Sequence, residues 1–277
     1  MRLTTTLSAG PVTAELEAGA ASDIGSVRQV NEDSFLITHS VFLVADGMGG
    51  HSAGDRASQA VRDGFERRIR NTDATTASDI LGAISSANDV VRALAHNGPI
   101  SGTTLAGVAV VESAGALQWM AFNIGDSRVY QFDGRSLAQV SVDHSAVQEL
   151  LDAGSITATE AAGHPDRNVI TRAIGATEVV DADVWLLPMV GTQTFLLCSD
   201  GLSKELDDVT IADILVRHDP GSAAEALVAA AVAAGGADNV TAVVVQSRSV
   251  STAASLELTG ERFTATAREL EDTRPRI

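Results

Sequence analysis

Runs of apolar residues separated by short polar turns dominate the pattern along this chain. Eight runs resemble strands, and several are apolar at consecutive positions, which is typical of buried strands. They occupy residues 34–38, 41–45, 104–111, 117–124, 128–132, 184–187, 194–198 and 240–245. The short gaps after Thr38, Val111 and Ile124 predict hairpins, so we expect largely antiparallel sheets.

Helical periodicity occupies the segments between these strands. Apolar side chains recur at the helical repeat at Ala57, Val61, Phe65 and Ile69. The segment 78–96 continues this pattern in a second helix. Capping-box patterns predict two short helices that start at Ser145 and Thr157, and a longer alanine-rich helix that opens at Ser222 and ends at Gly235.

The segregation of helices from antiparallel strands predicts an α+β fold built in layers. With 277 residues and 45% apolar content, the chain can bury a sizeable core. We assign residues 1–18 to an N-terminal extension, 19–249 to the folded domain and 250–277 to a polar C-terminal tail.

Acidic residues outnumber basic ones by 36 to 19, which gives a formal net charge of −17. This charge argues against a nucleic-acid partner, because phosphates would be repelled over most of the surface. No stretch reaches the roughly 20 apolar residues of a membrane span, and the N-terminus lacks a secretion signal, so we expect no membrane association and a cytoplasmic location. The single cysteine, Cys198, excludes an internal disulfide and a thiolate metal cluster.

Four aspartates lie at the ends of strand candidates. Asp46 and Asp200 follow two similar runs, VFLVA and FLLCS, and each precedes a glycine. Asp126 follows a third strand and Gly125, and Asp238 comes shortly before the last strand. The repeated placement suggests a common purpose.

An Asp-Gly pair is also a common hairpin turn, and we interpret Asp133-Gly134 as one. Four strand-end aspartates can instead converge at one edge of a core, where close carboxylates repel one another. Hard divalent cations with oxygen ligands compensate such repulsion. We therefore predict a site for Mg²⁺ or Mn²⁺, in which a neighbouring glycine lets the backbone carbonyl approach the ion.

A reaction on a phosphate ester would also need an anion anchor in this acidic site. Arg28 is the candidate, because its planar guanidinium can hold two phosphate oxygens. Its sequence context, RQVNED, places it shortly before the first strand of the domain.

Eight motifs follow one another in a defined order between residues 28 and 245. They are RQVNED, VFLVADGMGGHSAGDRAS, GTTLAGV, NIGDSRVY, DHSAVQELLDAG, NVITRAIG, LLCSDGLS and ADNVTAVVV. This series resembles that of the metal-dependent PP2C-type protein serine/threonine phosphatases, in particular the bacterial members that oppose Hanks-type kinases. The resemblance implies two stacked antiparallel β-sheets flanked by helix pairs, with a flap beside the active site near 144–180.

The resemblance also implies the metal ligands. Asp46 would bridge two ions of Mn²⁺ or Mg²⁺. The carbonyl of Gly47 would bind the first ion, and Asp200 and Asp238 the second. Asp126 would join Asp200 at a third, weaker site.

Further roles follow from the same resemblance. Glu32 and Asp33 would hold waters on the ions, and Arg28 would bind phosphate. The proton donor to the leaving oxygen is open, because many eukaryotic relatives carry histidine directly after the Asp-Gly pair, where this chain has Met48. His51 and a water on a metal ion are the alternatives.

The implied activity is hydrolysis of phosphoserine and phosphothreonine by a water that two metal ions activate. Phosphorylated proteins, including Ser/Thr kinases and their substrates, would be the partners of a monomeric enzyme. Two other functions are kept as alternatives: a phosphatase of a sigma-factor regulatory protein, and a non-catalytic phosphatase-like binding module. The complete set of aspartates favours a catalytic protein over the non-catalytic binding module.

Overall fold

The computed structural model describes residues 1–10, 12–49, 53–69, 75–96, 101–113, 115–251 and 261–265. Its strands are β1 (Arg2–Ala9), β2 (Val12–Asp23), β3 (Asp33–Ile37), β4 (Val41–Gly49), β5 (Ser101–Thr103), β6 (Leu105–Ser113), β7 (Ala116–Ile124), β8 (Arg128–Phe132), β9 (Leu137–Gln139), β10 (Ala182–Pro188), β11 (Thr192–Cys198), β12 (Val240–Ser251) and β13 (Glu261–Ala265). Its helices are α1 (Ala53–Arg68), α2 (Ala77–His96), α3 (Ala146–Asp152), α4 (Ala158–Ala162), α5 (Asp200–Ser203), α6 (Asp208–Arg217) and α7 (Pro220–Ala234).

The strands form two antiparallel sheets that stack on each other. Within the described ranges, sheet I has the order β1-β2-β12-β11-β8-β9, and sheet II has the order β13-β10-β7-β6-β4-β3, with β5 paired to β4. Helices α1 and α2 cover the outer face of sheet II, and α6 and α7 cover that of sheet I. The predicted α+β class, with two stacked sheets flanked by helix pairs, is confirmed.

Three apolar layers hold this sandwich together. Between the sheets, the ring of Trp119 lies 4.9 Å from that of Phe195 and 6.5 Å from that of Phe42, measured between centroids. Outside sheet II, Phe65 of α1 stacks on Phe122 at 5.9 Å. The third layer lies between sheet I and α5, α6 and α7.

The consecutive apolar residues of the central strands are explained by burial on both faces. In β4, Leu43 packs in the layer with α1, whereas Phe42 and Val44 pack between the sheets. In β11, Phe195 packs between the sheets and Leu196 packs in the layer with α7. Such strands are anchored on two sides, which makes their ends rigid positions for functional groups.

The first residues of the chain are part of sheet I. β1 pairs with β2, and β2 pairs along its whole length with β12. Alternate residues of β2, among them Val12, Ala14 and Leu16, are buried between the sheets. The boundary that we placed after residue 18 therefore falls inside β2.

The C-terminal boundary also falls inside a strand. β12 continues to Ser251, beyond the end that we placed at residue 249. Glu261–Ala265 forms β13, which pairs with β10 at the edge of sheet II. The remaining parts of the predicted tail, 252–260 and 266–277, lie outside the described residues.

Two local predictions were wrong. The link after Ile124 is not a hairpin, because β7 lies in sheet II and β8 in sheet I, so residues 125–127 cross between the sheets. Helix α7 begins before Ser222: Asp219 is its cap and accepts the Ser222 N–H at 3.0 Å, and Pro220 occupies the first helical position. Proline is favoured there because its fixed φ suits a helix and that N–H would have no partner in any case.

Other helix starts agree with the sequence patterns. Thr157 and Glu160 form the predicted capping box of α4, and Ser145 caps α3. The start of α6, capped by Asp207, had not been predicted. Within the described residues, no helix combines the length and the apolar character that a bilayer crossing needs.

Truncation of Leu16 tests whether the N-terminal strands belong to the core. Leu16 is 1% exposed, so Leu16→Ala should lower the free energy of unfolding by about 2–5 kcal/mol. Glu17→Ala, on the exposed face of the same strand, should change it by less than about 0.5 kcal/mol. Urea unfolding of both variants measures the difference. If both variants lowered the free energy of unfolding by a similar small amount, β2 would lie outside the core.

Candidate active site

The four strand-end aspartates meet where the two sheets come together at one end of the sandwich. Asp46 lies in β4 and Asp126 follows β7, both in sheet II. Asp200 follows β11 and Asp238 precedes β12, both in sheet I. All four line one cavity of about 280 Å³.

A direct link between the sheets passes through Asp33. The register of β3 on β4 places Asp33 opposite Asp46. The hydroxyl of Ser199, which directly follows β11 of sheet I, donates to Asp33 Oδ2 at 2.7 Å and accepts the N–H of Thr241 in β12 at 3.0 Å. The other oxygen, Asp33 Oδ1, is buried without a hydrogen-bond partner. One carboxylate thus ties the two sheets together and keeps one oxygen unused.

Main-chain contacts fix the position of Asp46. Its N–H donates to Thr104 Oγ1 at 3.0 Å, and its carbonyl accepts from the Thr104 N–H and the Thr103 hydroxyl, both at 2.9 Å. A Cβ on Gly47 would lie 2.2 Å from the carbonyl oxygen of Gly54 in α1. Only glycine therefore permits this close approach of β4 and α1 beside the cavity.

Asn239 joins the loops that lead into β3 and β12. Its side-chain amide donates to the carbonyls of Ile24 and Val30 at 3.0 Å each, and its Oδ1 accepts the Glu32 N–H at 2.9 Å. A Cβ on Gly201 would lie 2.1 Å from the Asn239 carbonyl oxygen, so the glycine after the α5 aspartate is required here. These contacts hold Glu32 at the cavity wall.

Two basic side chains form ion pairs with the aspartates. Arg28 Nη2 donates to Asp238 Oδ2 at 2.6 Å. Lys204 Nζ donates to Asp200 Oδ2. Asp200 Oδ1 is buried without a hydrogen-bond partner. Arg28 and Lys204 both line the cavity.

The comparison with known proteins identifies the family. The sequence model of the family described as Protein phosphatase 2C matches residues 26–230. The chain belongs to the protein phosphatase 2C family. It is a protein serine/threonine phosphatase. The predicted family and enzyme class are confirmed.

Relatives of this phosphatase cover most of its length. The serine/threonine phosphatase stp of Listeria welshimeri is 34% identical over 247 residues, which are 83% of this chain and 96% of that protein. The serine/threonine protein phosphatase PstP of Mycobacterium tuberculosis is 37% identical over 240 residues, 84% of this chain but 45% of that longer protein.

Solved structures of similar phosphatases share the fold. The catalytic domain of the phosphatase PstP, in complex with 2 manganese ions, aligns with a TM-score of 0.77 at 32% identity, over 85% of this chain and 99% of that one. PppA from Pseudomonas aeruginosa aligns with a TM-score of 0.74 at 36% identity, over 85% of this chain and 98% of that one. The sandwich described above is therefore the architecture of this family.

Burial and mutual repulsion perturb the acids of this phosphatase. Burial, reinforced by the carboxylates of Asp33 and Asp200, raises the pKa of Asp46 well above its usual value. Burial also raises the pKa of Asp33 to about 7, although hydroxyl hydrogen bonds lower it. The pKa of Asp126 rises to about 7 through burial and through the charge of Asp200. These carboxyls are held in a setting that disfavours their charged form.

The cavity carries an excess of negative charge. Among the residues that the structure describes, five carboxylates and two cations line it, which leaves three negative charges in excess when all of these groups are ionised: Glu32, Asp46, Asp126, Asp200 and Asp238 against Arg28 and Lys204. In the described residues, no three His, Cys, Asp or Glu side chains surround one ion position. Asp200 and Asp238 each direct an oxygen to a basic side chain instead.

A larger groove of about 710 Å³ adjoins this cavity beneath the segment predicted as the flap. Val147 and Leu151 of α3 and Ala158 of α4 line its apolar side. The polar side is shared with the cavity and includes Asp126 and Lys204. The groove therefore opens onto carboxylates that also line the cavity.

The structure brings the predicted site residues to one place. Seven of them line the cavity, and the eighth, Asp33, lies opposite Asp46 in the adjacent strand: the seven are Arg28, Glu32, Asp46, Gly47, Asp126, Asp200 and Asp238. Met48 lines it as well. His51 lies outside the described residues.

Sequence reasoning missed several groups that shape the site. Ser199, Thr104 and Asn239 act through partners far away in the sequence, so no local pattern reveals them. Lys204 did offer a signal. It is the only lysine in the sequence, and it lies one helical turn after Asp200.

The raised pKa of Asp126 predicts how stability depends on pH when metal is absent. Its pKa is about 7 in the fold against 3.8 for an ordinary aspartate, so the folded state binds this proton more tightly than the unfolded state. The resulting stabilisation is fully present below about pH 4 and is lost as the pH rises through about 7. Asp126→Asn, which cannot ionise, should therefore be more stable than wild type at about pH 8, and this advantage should shrink toward about pH 4.

Thermal unfolding in EDTA across this pH range measures the effect. A gain of about 1 kcal/mol would raise Tm by roughly 2–4 °C. Asp133→Asn is the matched control, because hydrogen bonds from the Ser136 and Arg135 N–H groups lower the pKa of the exposed Asp133. A difference between wild type and Asp126→Asn that does not vary with pH would contradict the prediction.

Proposed function

We propose that this phosphatase hydrolyses phosphoserine and phosphothreonine in proteins with two divalent cations, Mn²⁺ or Mg²⁺, bound in the 280 Å³ cavity. The observation that carries the proposal is the convergence of five carboxylates from both sheets on this one cavity. Such a cluster is held together by rigid strand ends and lacks enough positive charge of its own.

The donor set suits hard divalent cations. The groups around the cavity offer oxygen ligands, which Mg²⁺ and Mn²⁺ prefer. Two buried carboxylate oxygens, Asp33 Oδ1 and Asp200 Oδ1, have no hydrogen-bond partner. Two divalent cations would also turn the negative excess into a small positive one, which suits a phosphate ester.

The residues take distinct roles toward the two ions. Asp46, at the centre of the cluster, would bridge them. The Gly47 carbonyl would hold the first ion, and Asp200 and Asp238 the second. Asp238 would have to share or release its ion pair with Arg28 as it turns to an ion.

The charged residues around the ions divide the remaining work. Glu32, which is fixed by Asn239, would hold water on the ions, as would Asp33. When bound, the two ions supply the Lewis acidity that activates water for attack on phosphorus. The guanidinium of Arg28, 52% exposed at the cavity mouth, would accept the phosphate oxygens and offset their charge.

Met48 lines the cavity but cannot protonate the leaving oxygen, because a thioether carries no acidic proton. The protonation step therefore relies on another group. The substrates of the enzyme are products of Ser/Thr kinases, so their hydrolysis would oppose these kinases. The relatives named serine/threonine phosphatases support this assignment.

Replacement of Asp46 tests the metal assignment. Asp46→Asn should lower the rate of phosphate release from a phosphothreonine peptide and from an autophosphorylated Ser/Thr kinase by more than about 100-fold in Mn²⁺. Asp133→Asn makes the same change in a different Asp-Gly pair, which lies in a turn outside the cavity. It should leave the rate unchanged. Normal turnover by Asp46→Asn would contradict the assignment of Asp46 as a metal ligand.

Replacement of Arg28 separates phosphate binding from metal binding. Arg28→Ala should lower kcat/KM for the same peptide by about 10–100-fold, because a charge-assisted pair with phosphate is lost. Its Mn²⁺ affinity should not weaken, because Asp238 is freed from its ion pair. Arg217→Ala, which removes an exposed pair with Asp213, is the control for kinetics and calorimetry. A loss of Mn²⁺ binding in Arg28→Ala would contradict the proposed role.

A further inference from the structure

The only lysine of the sequence lies inside the catalytic cleft. Lys204 follows α5 directly, four residues after Asp200, and its ammonium is paired with Asp200 Oδ2. It lines both the cavity and the adjoining groove. Its side chain is 39% exposed and that of Asp200 is 15% exposed, so the pair is partly shielded from water.

Lys204 lies among several carboxylates, whose negative charge favours a cation at this position. The carboxylates of Asp126 and Asp200 line both the cavity and the adjoining groove, on the same walls as Lys204. The ammonium of Lys204 attracts the carboxylate of Asp126 electrostatically. Lys204 also interacts electrostatically with Asp46. One organic cation therefore acts on three of the four strand-end aspartates.

The ion pair with Lys204 gives the two carboxylate oxygens of Asp200 different surroundings. Lys204 takes Oδ2, whereas Oδ1 is buried without a hydrogen-bond partner. Asp200 can thus offer one oxygen to an ion in the cavity while the other stays with the ammonium. The same carboxylate oxygen cannot serve the ammonium and a further ion at full strength.

We propose that the ammonium of Lys204 occupies the edge of the site between Asp126 and Asp200, where a third divalent ion would otherwise bind. This inference rests on the proposed two-ion function. The enzyme then works with two exchangeable ions and one cation that is part of the chain. The possible third ion expected from the motif series is replaced by a side chain.

Counting the bound ions tests this role. Equilibrium dialysis against Mn²⁺ up to millimolar concentration, followed by metal analysis, gives the number of ions per chain. Wild type should bind two. Lys204→Met, which keeps the length and loses the charge, should bind a third, weaker ion, whereas Lys204→Arg, which keeps the charge, should bind two.

A double variant shows where the extra ion binds. Lys204→Met combined with Asp126→Asn should return to two ions, because the second carboxylate of the edge is lost. Thermal unfolding of each variant in EDTA verifies that it is folded. Three ions that persist in the double variant would place the additional ion elsewhere and overturn the inference.

The single lysine also permits a spectroscopic measurement. Incorporation of lysine labelled with ¹³C at its ε carbon gives one side-chain resonance, since no other lysine is present. Two equivalents of paramagnetic Mn²⁺ should broaden this resonance strongly if Lys204 stays beside the loaded site. A resonance that stays sharp would show that the ammonium leaves the site, and would overturn the inference.

The remaining outcomes separate this inference from the proposed function. Three ions in wild type, or two in both wild type and Lys204→Met, would overturn the role of Lys204 and leave the two-ion function standing. Fewer than two ions in wild type would overturn the proposed function together with the inference.

Discussion

Electrostatic repulsion among carboxylates is the interaction on which the rest of the site depends. Asp33 and Asp46 lie opposite each other in one sheet, and Asp200 and Asp238 approach from the other. The strands that carry them are packed on both faces and hydrogen-bonded to their neighbours, so the carboxylates cannot move apart to relieve the repulsion. The requirement for cations is therefore built into the architecture.

The fold answers this requirement with two different side chains. Arg28 is half exposed on a loop and is paired with Asp238, and in the proposed function it would exchange this partner for a phosphate group. Lys204 directly follows a short helix whose first residue is its own partner, Asp200, so the backbone keeps the two side chains within reach of each other. In the proposed roles, Arg28 serves a ligand that binds and dissociates, whereas the ammonium of Lys204 stays in the site.

The sequence predicted the parts of the fold whose signals are local. The apolar runs 41–45 and 194–198 identified central strands, because residues buried on both faces leave an unbroken pattern. β2 was missed altogether, since small alanines alternating with Glu15 and Glu17 give a weak apolar signal. The crossing after Ile124 was mistaken for a hairpin, because a short link looks the same whether it joins neighbours in one sheet or joins two sheets.

The residues of the site likewise differ in whether a local sequence pattern reveals them. Strand-end aspartates beside glycines could be found by inspection, and Arg28 through its motif. The groups that position them could not, because Ser199 and Asn239 act across contacts of 166 and 207 residues in sequence separation. Lys204 belongs to none of the motifs, and its place one helical turn after Asp200 gains a meaning only from the ion pair between the two side chains.

The turn between β3 and β4 has a consequence for how this protein can vary. Thr38 closes the turn by accepting the Val41 N–H at 2.9 Å. The length of this turn sets the register that places Asp33 opposite Asp46. One inserted or deleted residue would shift that register and turn alternate side chains to the opposite face of the sheet. A loop remote from the chemistry should therefore tolerate changes of residue type far better than changes of length.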